Sequence, residues 1–482
     1  MFGLATLFSL VLFAILWRLD FPKPYMDDLF YCGGSLNLAQ GGGLSNPMIA
    51  GQGFHNSFFV YPPLEFYALA GWLKVFGISA ASMTGYAILM YFLIAVVTIA
   101  LLRHYRAPRW LEWIAPVCVC AAFMRTGGLR PEPLSIALMM IGFAIIECGG
   151  RSKGIVFLSF LLLFMGGSTA PRMVPFCLTF FGLALLRLRS GTGAGQSNGW
   201  NYFWLAGAAG LASGTLFLLL IHFRLSEFLE TFRMHSTRNT GVPFSLYLAS
   251  LLYHVMSQLM WPLLALPILL LIAFRREPWD RLKTIAVSVL IVFVLAGCLK
   301  ILWPCSIWYA IFASLLLAGS GFASLSRLPA IALGTIFLLA LLIANGQTLL
   351  NIYGMLSGHL RNDPGDQRPA ALALRPTPEH RVIVDVNQAR YLFDYHIPPG
   401  VLSFEYAATF PIAYADEELR PSDLYILGPQ SVDSINQRNL PMLASPPRWN
   451  PLGGTPRYGF NEFPHWVYII SGEECKKTKR DK

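Results

Sequence analysis

The chain has 482 residues, 55% of them apolar and 13% charged, with a formal net charge of +10. A soluble globular chain carries about 25% charged residues, so the composition excludes an ordinary water-soluble protein and points to a polytopic membrane protein. Residues 1–350 hold 22 Lys and Arg against 11 Asp and Glu, and the remainder holds 14 against 15. With no basic run before the tail at 476–482, that excess suits anionic lipid or phosphate and excludes a nucleic-acid partner.

In chain order, residues 2–19 are the first apolar segment. Its first charge, Arg18, follows the run, where a signal peptide would place basic residues ahead of it, so a retained membrane helix is expected. Pro22 and Pro24 then break the chain, 25–40 is predicted as an amphipathic helix on the outer membrane face, and Gly41-Gly42-Gly43 and Asn46-Pro47 are further breakers. The stretch 64–76, between Pro62-Pro63 and Gly77, is too short to cross a bilayer and is expected to be interfacial or re-entrant. Further apolar segments follow at 80–102, 110–124, 131–147, 154–170, 172–188, 201–221, 244–274, 284–302, 306–324 and 329–348. With the first, these make eleven expected spans, since a spanning helix needs about 17–25 residues. The eight cysteines fall mostly in such apolar runs with no C-x-x-C, and read as membrane core.

The expected fold class is therefore an all-α polytopic membrane protein of about eleven transmembrane helices over residues 1–350, whose outer loop 20–79 carries interfacial helices. After Asn351 the composition becomes that of a soluble module. Arg381-Val-Ile-Val-Asp385 and Asp423-Leu-Tyr-Ile-Leu-Gly428 read as strands and 387–395 as a short helix, so residues 351–482 are predicted to form a small α/β domain. It has no phosphate-loop or dinucleotide fingerprint. Placing Met1 in the cytoplasm puts twelve Lys and Arg in inner connections and seven in short outer ones, in keeping with the positive-inside rule, and leaves the C-terminal domain outside.

In that orientation the outer side holds most of the acids, Asp20, Asp27, Asp28, Glu65, Glu132, Glu227 and Glu230, and is the expected reaction face. Asp27 and Asp28 stand just past the first segment. A carboxylate there can take a proton from a hydroxyl, or cap a helix and favour its positive end. Arg130-Pro-Glu-Pro133 opens the fourth apolar segment, where Glu132 is a second acid and Arg130 a donor to a phosphate oxygen; the plain alternative is a first-turn acid beside a snorkelling arginine. Arg172 is similar, with interfacial anchoring as its alternative. Residues 223–242 interleave Arg224, Glu227, Glu230, Arg233, His235 and Arg238 with Phe228, Leu229, Phe232 and Met234. That pattern suits a surface helix, on which Arg233, His235 and Arg238 can bind phosphate. His55, His235 and Glu132 lack any metal-ligand spacing, and no G-x-S-x-G occurs.

A first span, then Asp27-Asp28 followed by Tyr31, Tyr61-Pro-Pro-Leu-Glu-Phe-Tyr67 running to Val75-Phe-Gly77, a basic exit at Arg103 and Arg130-Pro-Glu132 together resemble the GT-C membrane glycosyltransferases. That superfamily includes protein O-mannosyltransferases and bacterial aminoarabinose and arabinosyl transferases. The resemblance implies inverting transfer of a sugar from a polyprenyl-phosphate donor to a lipid, glycan or protein acceptor, on the outer face of a bacterial inner membrane. It places the family's first-loop acid on Asp27 and Asp28, with Asp27 as base or acceptor-orienting group, and a second acid on Glu132. Cations at the leaving phosphate fall on Arg130, Arg172, Arg233 or Arg238, beside His235, and Tyr31, His55, Tyr61 and Glu65 lie in the acceptor or donor loop. A divalent metal is compatible with the family. The histidine that many members carry before the Pro-Pro pair is Tyr61 here, a departure that His55 or His235 would have to compensate. A surface-glycan polymerase or ligase would place its large outer loop between late spans, whereas here the large loop comes first. A transporter or flippase of lipid-linked sugars would carry midplane charges, often in inverted repeats, whereas these charges lie at segment ends.

Overall fold

The computed structural model describes residues 2–19, 26–46, 59–123, 129–190, 200–236, 242–257, 259–302, 304–323, 325 and 327–356, and strands at 382–385, 402–405, 424–427, 448–449 and 467–471. The described helices are α1 (Phe2–Arg18), α2 (Met26–Ala39), α3 (Leu64–Phe76), α4 (Ala80–His104), α5 (Arg109–Phe123), α6 (Pro131–Cys148), α7 (Lys153–Thr169), α8 (Val174–Ser190), α9 (Trp200–Leu220), α10 (Leu225–Ser236), α11 (Phe244–Ser257), α12 (Trp261–Ala273), α13 (Arg281–Cys298), α14 (Ile307–Gly321) and α15 (Arg327–Leu356). Each predicted apolar segment except 244–274 folds as a single helix, and the predicted short helices at 25–40, 64–76 and 223–242 form α2, α3 and α10. Among the described residues six helices are long and apolar enough to cross a membrane, or up to seven if one bent pair is a single span.

That bent pair corrects one expectation. Residues 244–274 form two helices, α11 and α12, that meet at 97°. Leu259 adopts φ +53, Met260 N–H donates to Val255 O at 2.9 Å, and Pro262 stands in the first turn of α12. The left-handed residue closes α11 with a Schellman motif and the proline suits only a new helix start.

The chain divides into two compact units. The first comprises Met1–Pro22, Phe59–Glu65 and Ala87–Thr348. Its most enclosed described element is α14, which buries 14 of its 15 residues. It packs against α5, α12 and α13. Small residues bring α6 against α7: a Cβ on Gly142 would lie 2.6 Å from Ser159 O, one on Gly166 would lie 2.7 Å from Ser135 O, and Ser135 Oγ donates to Gly166 O at 2.6 Å. In lipid such close approach is what holds helices together, because the tails are as apolar as leucine. The described cysteines at 32, 118, 120, 177 and 305 are buried.

The second unit comprises Lys23–Phe58, Phe66–Tyr86 and Leu349–Lys482. Within it, Trp72 Nε1 donates to Ser82 O at 2.8 Å, and Asn37 Nδ2 donates to Gly43 O at 2.8 Å, fixing the turn that ends α2 at Gly41, φ +89. Its strands β1 (Val382–Asp385), β2 (Leu402–Glu405), β3 (Leu424–Leu427), β4 (Arg448–Trp449) and β5 (Val467–Ser471) make a mixed sheet in the order β2-β1-β3-β5-β4. The strand β1 runs parallel to β2 and β3, whereas β5 is antiparallel to β3 and β4. Both strands read from the sequence are β1 and β3. Parallel neighbours need crossover connections of a dozen residues or more, and the expected helix at 387–395 falls in one such connection, outside the described residues.

Candidate active site

The first unit gathers charge at the opening of α6. Arg130 is its N-cap residue, with φ −84 and ψ 157, and Pro131 follows in the first turn. Two of the first four positions, Pro131 and Pro133, have no N–H to satisfy, so the helix starts cleanly without a side-chain cap. Glu132 then stands at the positive end of the helix, where an anion is favoured. Its residue is 0% exposed and that of Arg130 3%. Arg130 Nε donates to Glu132 Oε2 at 3.3 Å, while the buried Oε1 has no hydrogen-bond partner among the described residues. A buried ion pair adds little net stability over well-packed apolar groups, and a buried carboxylate oxygen left open is a cost that chemistry can explain.

Two turns complete the cluster. A 3₁₀ turn at Pro171–Met173 packs beside α6 and carries Arg172, half-buried. A second 3₁₀ turn at Pro304–Ser306 carries Cys305, whose thiol lies within electrostatic reach of Glu132, Arg130 and Arg172. Burial, then Glu132, pushes that thiol well above its ordinary value against the pull of the two arginines, so it stays protonated. Arg172 also acts on Tyr247, whose hydroxyl donates to Leu302 O at 3.1 Å. Lys300 (φ +58) donates from Nζ to Val242 O at 2.8 Å, a second tie between the start of α11 and the end of α13. Two cations and an open carboxylate oxygen, set at helix ends, can hold a phosphate and orient a hydroxyl.

Among the sequence-predicted residues the structure brings together Arg130, Glu132 and Arg172. Tyr61 and Glu65 are buried in the first unit, at 3% and 1% exposure. Arg233 lies on the exposed face of α10, whose Phe228 packs on Phe59 and Phe217. Asp27 and Asp28 stand in the first turn of α2, with Tyr31 buried further along it. The side chains of Asp27, Asp28 and His235, and all of His55 and Arg238, lie outside the described residues. Sequence reasoning missed Tyr247 and Cys305. The available signal was a shared pattern: Pro131, Pro171 and Pro304 each start a helix or turn after an apolar break, and all three turns meet in this cluster.

Among the described residues no three His, Cys, Asp or Glu side chains are placed to hold a metal ion. No described ligand set fits a divalent cation.

No protein-family model matches the chain, and no curated protein sequence matches it. A solved structure does share its fold. The crystal structure of ArnT from Cupriavidus metallidurans bound to undecaprenyl phosphate aligns over 98% of each chain, with a TM-score of 0.54 at 13% identity. The chain shares the fold of ArnT. The likeness is one of fold.

Proposed function

We propose that the protein is an integral-membrane, inverting glycosyltransferase that moves a sugar from a polyprenyl-phosphate donor to an envelope lipid, glycan or protein hydroxyl on the outer face of a bacterial inner membrane. The observation that carries the reading is the buried Arg130–Glu132 pair with Arg172 beside it, in a fold shared with a protein solved bound to undecaprenyl phosphate. The acceptor oxygen attacks the anomeric carbon, the bond from that carbon to the phosphate oxygen breaks, and polyprenyl phosphate leaves with the electron pair. Asp27, or its neighbour Asp28, takes the acceptor proton. Arg130 and Arg172 stabilise the departing charge, so little acid catalysis is needed on that side. The open oxygen of Glu132 orients a sugar or acceptor hydroxyl. The prenyl tail stays in lipid while the head group reaches the cluster, and residues 351–482 shape the acceptor side outside the membrane.

The test uses wild type, Asp27→Asn, Asp28→Asn and Glu132→Gln in detergent, with a panel of radiolabelled polyprenyl-phosphate sugars and crude envelope acceptor. Label transferred and donor bound are both measured. General-base catalysis is worth about 10²- to 10⁴-fold, so Asp27→Asn should lose that much transfer and keep donor binding. Wild-type rates in both Asp variants would remove the base from this pair. Donor binding without transfer to any acceptor, together with passage of donor across vesicles, would make the protein a transporter.

A further inference from the structure

A second charged cluster sits at the other end of α6 and takes no part in the reading above. Glu147 is 15 residues beyond Glu132, about 22 Å along the helix. Its side chain is 0% exposed and is met from three other elements. Arg281, opening α13, donates from Nη2 to Glu147 Oε1 at 2.5 Å and to Leu183 O on α8 at 2.6 Å. Tyr105, in the turn after α4, donates its hydroxyl to Glu147 Oε2. Burial and the neighbouring carboxylate hold that phenol far above its ordinary value, so it remains a donor. Arg187, in the last turn of α8, approaches Oε2 with Nε at 3.8 Å, too far for a hydrogen bond.

The charges do not balance. One carboxylate faces two guanidinium groups, which leaves an excess positive charge in a partly buried place. The donors do not balance either: a guanidinium has five N–H groups, and among the described residues Arg187 donates no hydrogen bond while Arg281 Nε is buried without a partner. Yet the two side chains keep 35% and 22% of their surface exposed, so each is open in part to a ligand even though Arg281 Nε is enclosed. The segment leading into α13 carries two acids, Glu277 and Asp280, the latter accepting from Lys283 N as the N-cap, whereas the other segments beside the cluster bring the exposed Arg103, Arg106, Arg151, Lys153 and Arg189. Capping of α8 by a cation in its last turn accounts for one arginine, but not for two held on one buried acid.

We propose that Arg187 and Arg281, positioned by Glu147 and Tyr105, form a binding site for the phosphate group of an anionic molecule. Planar guanidinium groups from two helices suit two oxygens of one phosphate. The phosphate belongs to a membrane phospholipid head group or to a free anion, and the two are separable by experiment.

Delipidated protein in detergent is melted alone and with phosphatidylglycerol, phosphatidylcholine or inorganic phosphate, as wild type, Arg187→Gln, Arg187→Lys and the exposed control Arg275→Gln. Bound lipid is counted by native mass spectrometry. Phosphatidylglycerol should raise the wild-type melting temperature well beyond phosphatidylcholine. Arg187→Gln should lose most of that rise and the bound lipid, Arg187→Lys should keep part of both, and Arg275→Gln should keep all. A rise with inorganic phosphate alone, removed by Arg187→Gln, assigns a free anion to the same site. A full rise retained in Arg187→Gln, an equal effect of phosphatidylcholine, or no rise with any anion would overturn the proposal. If Arg187→Gln melts far below wild type without ligand, the lipid count on Arg187→Lys decides: an undiminished count overturns it.

Discussion

Replacing Glu132 by Leu separates what the buried pair does for folding from what it does for chemistry. With Arg130 at 3% exposure and Glu132 at 0%, neither group reaches bulk water. Removing one partner of a buried pair costs about 3–5 kcal/mol, because the other charge stays buried without its counter-ion, whereas replacing both by apolar residues of similar volume is neutral or stabilising. Glu132→Leu should therefore lose about 3–5 kcal/mol of stability. The Arg130→Met/Glu132→Leu double variant should return to within about 1 kcal/mol of wild type, a large non-additivity for two side chains in contact. Stability is read by SDS unfolding in mixed micelles followed by circular dichroism, and transfer by radiolabel incorporation from a polyprenyl-phosphate sugar. The double variant should fold like wild type and transfer nothing. Wild-type transfer by it would refute the catalytic reading of the pair, and a loss below about 1 kcal/mol in Glu132→Leu would refute the energetic one.

Arg172→Gln should weaken donor binding by about 10- to 100-fold, the worth of one charge-assisted hydrogen bond, in equilibrium binding of labelled donor with the melting temperature unchanged. Arg106 holds φ +58 at the end of α4 with its side chain exposed; Arg106→Gly should stabilise by about 1 kcal/mol, because only glycine adopts that region without strain. Gly166→Ala should cost about 1–3 kcal/mol, since its Cβ would meet Met139 Cγ at 2.6 Å and Ser135 O at 2.7 Å, whereas Gly182→Ala, with nothing within 4 Å, should be neutral or stabilising in the same unfolding assay.

Most helices were legible because membrane helices announce themselves by length and hydropathy, and the short ones by their breakers. The expected 25–40 and 64–76 fell within a residue of α2 and α3 because Pro24, Pro63 and Gly77 bound them. The break inside 244–274 was not, because uniform hydropathy hid a turn made by a left-handed leucine; only Pro262 marked it. At the site, Arg130 and Glu132 were legible because they lie two residues apart. Tyr247 and Cys305 reach the same place from distant turns, and nothing local foretells that. The cluster at Glu147 is hidden from the sequence in the same way, since its partners Tyr105 and Arg281 are 42 and 134 residues away.

The helix α6 is held to its neighbours at two places: by backbone-close packing on α7 at Gly142 and Gly166, and by charge at Glu147, which Arg281 and Tyr105 reach from other elements. A rod pinned in the middle and at one end cannot tilt or slide without breaking one of its ties. The contrast is with α11, which has no fully buried residue among those described and is tied through Tyr247 and Lys300 by single hydrogen bonds, so it can shift where α6 cannot.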